Sequence, residues 1–203
     1  MRLRHLKRWV IALTSSAIVV CASIGTSSAS TPTGTTKVVM SKYGFSVSLP
    51  AGWQQVKLTT AGINKMAHAL NKLDPTLGSQ FSSQQEQATI RKLQLFAIGA
   101  PQGGTLPNLN VLVQTPQGLP SGQSFLSQAQ PLMKNGLESE GFKDVTTSIV
   151  HLPLGSAVEG TYSLPSSSET VTQLYISHKS RLYIVTFSPA SVGAEIENTW
   201  HWQ

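Results

Sequence analysis

Four runs near the end of the chain limit the fold more than any other feature. Residues 145–152, 157–164, 170–178 and 181–187 are rich in β-branched and aromatic side chains. They are separated by short connections at Pro153-Leu154-Gly155, at Pro165-Ser166-Ser167-Ser168 and at Lys179-Ser180. A parallel crossover needs a dozen or more connecting residues, so connections this short predict an antiparallel meander. The domain must then supply a cover for each face of that sheet.

The preceding segments alternate between periods of two and of 3.6. Phe45, Val47 and Leu49 point one way and Ser46 and Ser48 the other, a strand pattern that Pro50-Ala51-Gly52 closes as a turn. The reading pairs this strand with residues 53–56 as a hairpin. Ile63, Met66, Ala67, Leu70 and Leu73 then follow helical spacing, with Thr60 as the expected N-cap and Asp74-Pro75 as the stop. Asp74 and Pro75 also open a second expected helix, over residues 75–91. Residues 93–98 are apolar on both sides, as a strand covered on both faces would be. Leu109, Val111 and Val113 mark another strand. Phe125, Leu126, Ala129, Leu132, Met133 and Leu137 mark a helix opened by Ser121 or Ser124, and Pro131 should kink or restart it. Gly141 and Phe142 suit a Schellman end, and residues 192–202 read as a short closing helix. Hairpins and helices in this order predict an α+β layered domain with a mainly antiparallel sheet.

The N-terminus has a different character. Residues 1–29 read as a signal peptide: Arg2, Arg4, Lys7 and Arg8, a short apolar stretch from Trp9, then small residues with a cleavage site near Ser27-Ser28-Ala29. The apolar stretch is shorter than the roughly 20 residues of a bilayer-spanning helix. Cleavage, acylation at Cys21 and a retained anchor all place the rest of the chain outside the cytoplasm. Residues 30–37 read as a flexible Ser/Thr/Gly-rich tether and residues 38–203 as the folded domain. The formal charge is +6, but all four basic residues of the first thirty belong to the export segment. Eleven basic and nine acidic groups remain beyond it, too even a balance for a nucleic-acid binder. One cysteine excludes a disulfide framework.

The segment Ser41-Lys42-Tyr43-Gly44-Phe45-Ser46-Val47-Ser48-Leu49-Pro50-Ala51-Gly52-Trp53 resembles the start of the PsbP-like domain. That family takes in extrinsic lumenal proteins of photosystem II, Ran-binding nuclear-transport relatives and bacterial exported proteins. The element order and the final Thr199-Trp200-His201-Trp202 are also similar. The resemblance implies an α/β/α sandwich, with helices packed on both faces of an antiparallel sheet, and it brings no catalytic motif.

Chemistry is sparse. No nucleophile elbow, zinc-binding helix motif or phosphate loop occurs. Asp74 and Asp144 are the only aspartates, and His68, His151, His178 and His201 lie in no recognisable triad or ligand spacing. Glu138 and Glu140 read as a solvated helix end. No catalytic residue, metal ligand or cofactor is therefore expected. Tyr43, Trp53, Trp200 and Trp202 are the candidate binding aromatics, with Trp202 the one most expected to be exposed. Together these features predict a non-catalytic, exported binding or accessory module. Its partner would be a protein or small ligand at the cell surface, and membrane contact would come only through a lipid or uncleaved anchor. The alternatives are a carrier of a lipid or small ligand, which needs an apolar cavity, and a secreted hydrolase with an unusual site.

Overall fold

A computed structural model describes residues 34–73, 75–100, 106–164 and 169–203. The expected signal peptide, Cys21 and the Asp74 cap lie outside the described residues. Among the described residues, ten strands and five α-helices follow one another as β1 (Thr36–Met40), β2 (Phe45–Leu49), β3 (Gln54–Gln55), α1 (Thr60–Leu73), α2 (Pro75–Ser82), α3 (Gln84–Ile90), β4 (Leu95–Ile98), β5 (Asn108–Gln114), α4 (Gly122–Ser139), β6 (Lys143–Leu152), β7 (Gly155–Ser163), β8 (Thr170–His178), β9 (Arg181–Ser188), α5 (Gly193–Glu197) and β10 (His201–Trp202).

Seven strands form one antiparallel sheet in the order β3-β4-β5-β9-β8-β7-β6. The last four are the predicted meander. The second sheet, in the order β1-β2-β10, is smaller and also antiparallel. The expected hairpin between residues 45–49 and 53–56 does not form. Gly52 takes a left-handed φ of 81° and the Trp53 amide closes on Pro50 O at 3.1 Å. That turn carries the chain out of the small sheet, and Gln54 and Gln55 pair with β4 in the large one. β2 pairs instead with β1, whose first two residues, Thr36 and Lys37, lie before the boundary drawn from composition, and with β10.

Each face of the large sheet has its own core. On one, Ile63, Met66 and Leu70 of α1, Phe81 of α2, Ile90 of α3 and Phe125, Met133 and Leu137 of α4 cover Phe96, Leu112, Val158, Tyr162, Tyr175 and Ile184. On the other, Phe45, Val47 and Leu49 of β2, with Ile196 of α5 and Trp200, cover Leu109, Val111, Leu174, Val185 and Phe187. Helices thus lie on both faces of an α+β domain, although the second face is covered mainly by the small sheet.

Local signals explain the helix ends. Thr59, not Thr60, caps α1, its hydroxyl accepting from the Gly62 amide at 3.1 Å. The single helix expected over residues 75–91 is two, because Ser83 takes extended angles and its hydroxyl accepts from the Glu86 amide at 3.1 Å. α4 begins after Ser121 and runs through Pro131 without a break. It ends as predicted: Gly141 sits at φ 85° and the Phe142 amide bonds Leu137 O at 3.2 Å. The closing helix is only five residues long, and His201 and Trp202 leave it to form β10.

Candidate functional site

Two of the four candidate aromatics, Trp200 and Trp202, meet where β10 closes the small sheet, and a third, Tyr43, joins through its main-chain oxygen. Phe45 stacks on Trp200, with ring centroids 4.4 Å apart and planes at 10°. Tyr183 of β9 meets Phe45 edge-on at 6.1 Å and Trp202 edge-on at 4.9 Å. Trp202 meets Trp200 at 5.6 Å and lies flat on His178 at 4.0 Å and 7°. Polar handles fix the same group. The Tyr183 hydroxyl donates to Tyr43 O at 2.7 Å, and Trp202 Nε1 donates to Leu154 O at 2.6 Å. Trp202 is half-buried, as is Tyr43. Trp53 makes none of these ring contacts. It is buried, its indole pressed on Gly99, where a Cβ would stand 2.7 Å from Nε1.

Cations crown this wedge. The β8–β9 turn is Lys179-Ser180, both at positive φ (47° and 60°), the geometry of a tight hairpin turn. It holds Lys179 at the tip with Arg181 just behind it. Arg181 Nη1 donates to Lys42 O at 3.2 Å, and Lys179 Nζ donates to Gln203 O at 2.8 Å. Gln203 N in turn donates to Gly44 O at 2.9 Å. Arg181 Nη1 and Gln203 O both come within 4 Å of the point where a Gly44 Cβ would stand, so the turn and the chain's last residues converge there. Lys42 Nζ sits 5.5 Å from the Tyr43 ring centroid. Arg181 bonds a main-chain carbonyl and Lys179 the main-chain oxygen of Gln203, and an ion pair between side chains lies elsewhere, between Lys134 and Glu138 at 3.9 Å. Among the described residues, no side-chain carboxylate forms an ion pair with Lys42, Lys179 or Arg181.

His178 belongs to the same group. Burial, with Lys179 beside it, holds its pKa below the ordinary histidine range, and its Nε2 is buried without a partner. The imidazole is thus neutral at pH 7 and acts as a flat surface for Trp202. Sequence reasoning missed His178, Lys179, Arg181 and Lys42, because their meeting depends on the β8–β9 register and on β10.

Among the described residues, no three His, Cys, Asp or Glu side chains converge as a metal site. Among the described residues there is a His–Ser contact: His151 Nδ1 and Ser156 Oγ are 2.8 Å apart on the exposed β6–β7 hairpin. Among the described residues no carboxylate bonds that ring to orient it. His68 and His201 are exposed.

The chain matches no protein-family model and no curated protein sequence. Among solved structures it is similar to the solution structure of cyanobacterial PsbP (CyanoP) from Synechocystis sp. PCC 6803. The identity is 11% over 88% of this chain and 98% of that chain, with a TM-score of 0.48.

Proposed function

We propose that the protein is an exported, non-catalytic binding or accessory module of the cell surface, and that the Lys42–Lys179–Arg181 end docks an acidic partner. The observation that carries this reading is the set of three cations, without side-chain carboxylate partners among the described residues, on a rigid aromatic wedge. The wedge lowers the entropic cost of recognition because its rings are already locked. The small net charge of the domain argues against long-range capture, so contact at short range does most of the selection. The hydrolase alternative finds its footing in the His151–Ser156 contact, which lacks the orienting acid a triad needs.

The test is binding of a fluorescent polyglutamate peptide to the purified protein at low and high salt. The expected result is salt-sensitive binding that Lys179→Ala with Arg181→Ala weakens about tenfold or more. Equal binding by the double variant overturns the docking site. Turnover of an ester or peptide that Ser156→Ala abolishes overturns the non-catalytic reading.

A further inference from the structure

The edges of the two sheets are not alike. The large sheet stops on one side at β3, two residues long, and the small sheet is bounded by the two-residue β10 and by β1, which carries Lys37. The other side of the large sheet stops at β6, ten residues long, with no strand on its outer side among the described residues. An open edge is a template for pairing, and proteins blunt it with short strands, charges, prolines or bulges. On β6 such devices are confined to the beginning: Lys143, Asp144 at a φ of 53°, and the irregular register between Lys143 and Thr146. From Thr146 to Leu152 the strand holds no Lys, Arg, Asp, Glu or Pro, and none of its residues is buried.

The register tells which main-chain groups point outward. Leu152 pairs with Gly155 across the two-residue turn Pro153-Leu154, so these two exchange the closing hydrogen bonds of the hairpin. Hydrogen-bonded pairs alternate from there, which turns the N–H and C=O of Thr147, Ile149 and His151 away from β7. A separate contact agrees: Gln130 of α4 donates from Nε2 to Thr147 O at 3.0 Å. Half-exposed apolar side chains flank this row, Ile149 against the helix core and Val150 and Leu152 against the other.

We propose that this edge is a self-association surface, on which a second copy of the chain adds its own β6 antiparallel about a two-fold axis at Ile149. Outward groups must meet outward groups, and Ile149 is both outward-facing and the centre of the unblunted stretch 146–152. The axis sets Ile149 opposite its copy, Thr147 opposite His151, Ser148 opposite Val150 and Thr146 opposite Leu152. No charged side chain is opposed, and the apolar side chains at the end of each core gain a cover. About six main-chain hydrogen bonds result. Those to Thr147 O displace Gln130, whose amide holds that place in the single chain. α4 packs over both β6 and β7, so a strand spacing of about 4.8 Å sets it roughly 10 Å from its copy, the usual separation of packed helices. Lys134, one turn past Gln130, lies on the far side of Gln130 from the axis, so the two Lys134 ammoniums stand well apart. This surface does not rest on the docking reading.

The test is sedimentation equilibrium of the purified protein up to about 0.5 mM. The expected result is a dimer with a Kd of roughly 100 µM or tighter. Thr147→Pro removes an outward N–H and no bond to β7, and should leave a folded monomer. A wild type that stays monomeric over the whole range, or a dimer that survives Thr147→Pro, overturns the proposal. Should that variant fail to fold, oxidation of Ile149→Cys and of Thr146→Cys, each combined with Cys21→Ser, decides. Ile149 stands about 5.5 Å from its copy, Cα to Cα, within disulfide reach, and Thr146 about 20 Å from its own. A covalent dimer from Ile149→Cys alone supports the pairing, and none, or equal amounts from both, refutes it.

Discussion

Trp202 lies flat against His178, the two rings 4.0 Å apart and within 7° of parallel. The contact ties β10 to the end of β8, and its strength depends on the charge state of the imidazole. The folded state holds the His178 pKa down, first through burial and then through Lys179. The unfolded chain therefore takes up the proton first as pH falls. Stability should be complete above the ordinary histidine pKa and should decline as pH drops through and below it. Wild type should lose Tm between pH 7.5 and 5, and His178→Asn should flatten that part of the curve. Parallel pH profiles for the two proteins would refute the linkage.

Glu197 gives the opposite sign. Its carboxyl is buried, and its pKa is raised by that burial and by Glu159. Ionisation is costlier in the folded state, so this group's destabilising effect grows as pH rises from the ordinary carboxylate range through its folded pKa. Glu197→Gln should raise the Tm at pH 7 and leave it nearly unchanged near pH 3.5. Calorimetry at the two pH values checks this, and an equal shift at both would refute it.

Two glycines separate rigid from yielding neighbours. A Cβ on Gly99 would meet Trp53 Nε1 at 2.7 Å and Cε2 at 2.8 Å, a fixed indole held between the sheets. A Cβ on Gly160 would meet Met133 Sδ at the same 2.7 Å, but a thioether can rotate away. Gly99→Ala should cost about 2–3 kcal/mol and Gly160→Ala about 1 kcal/mol or less by urea titration. The reverse order would show that the indole gives way more easily than the thioether.

Ser83 starts α3 by accepting from Glu86 N, and it also splits the helical segment in two. Ser83→Ala should cost about 1 kcal/mol, and Ser83→Gly a few tenths. Urea titration of both variants checks the pair. An unchanged midpoint for the alanine variant would show the cap to be without effect.

The meander was legible because each of its strands carries its own alternation and its connections are too short for any other topology. The small sheet was not. Residues 45–49 pair equally well, by pattern, with a strand on either side, and only the left-handed turn at Gly52 sends the chain to another sheet. β10 is two residues long and has no period to read. The burial of Asn108 and Asn110 was illegible for a related reason. Asn108 and Asn110 alternate with Leu109 and Val111 like the wet side of a half-exposed strand, yet both faces of β5 are covered and all four are buried. Tyr43, Trp200 and Trp202 could be picked out by size and position. The lysines and arginine beside them could not, since their meeting is a product of register.

β2 has one neighbour from residues 36–40 and the other from residues 201–202. The Thr199 hydroxyl joins the two regions again by donating to Ser48 O at 3.1 Å. During synthesis the first hairpin emerges early, but Phe45 lacks its stacking partner until Trp200 has followed. Contacts this distant along the chain form slowly. The cover over the second core is therefore the last part to assemble, and a nascent chain paused before residue 200 would expose Phe45 and its neighbours to whatever chaperone is at hand.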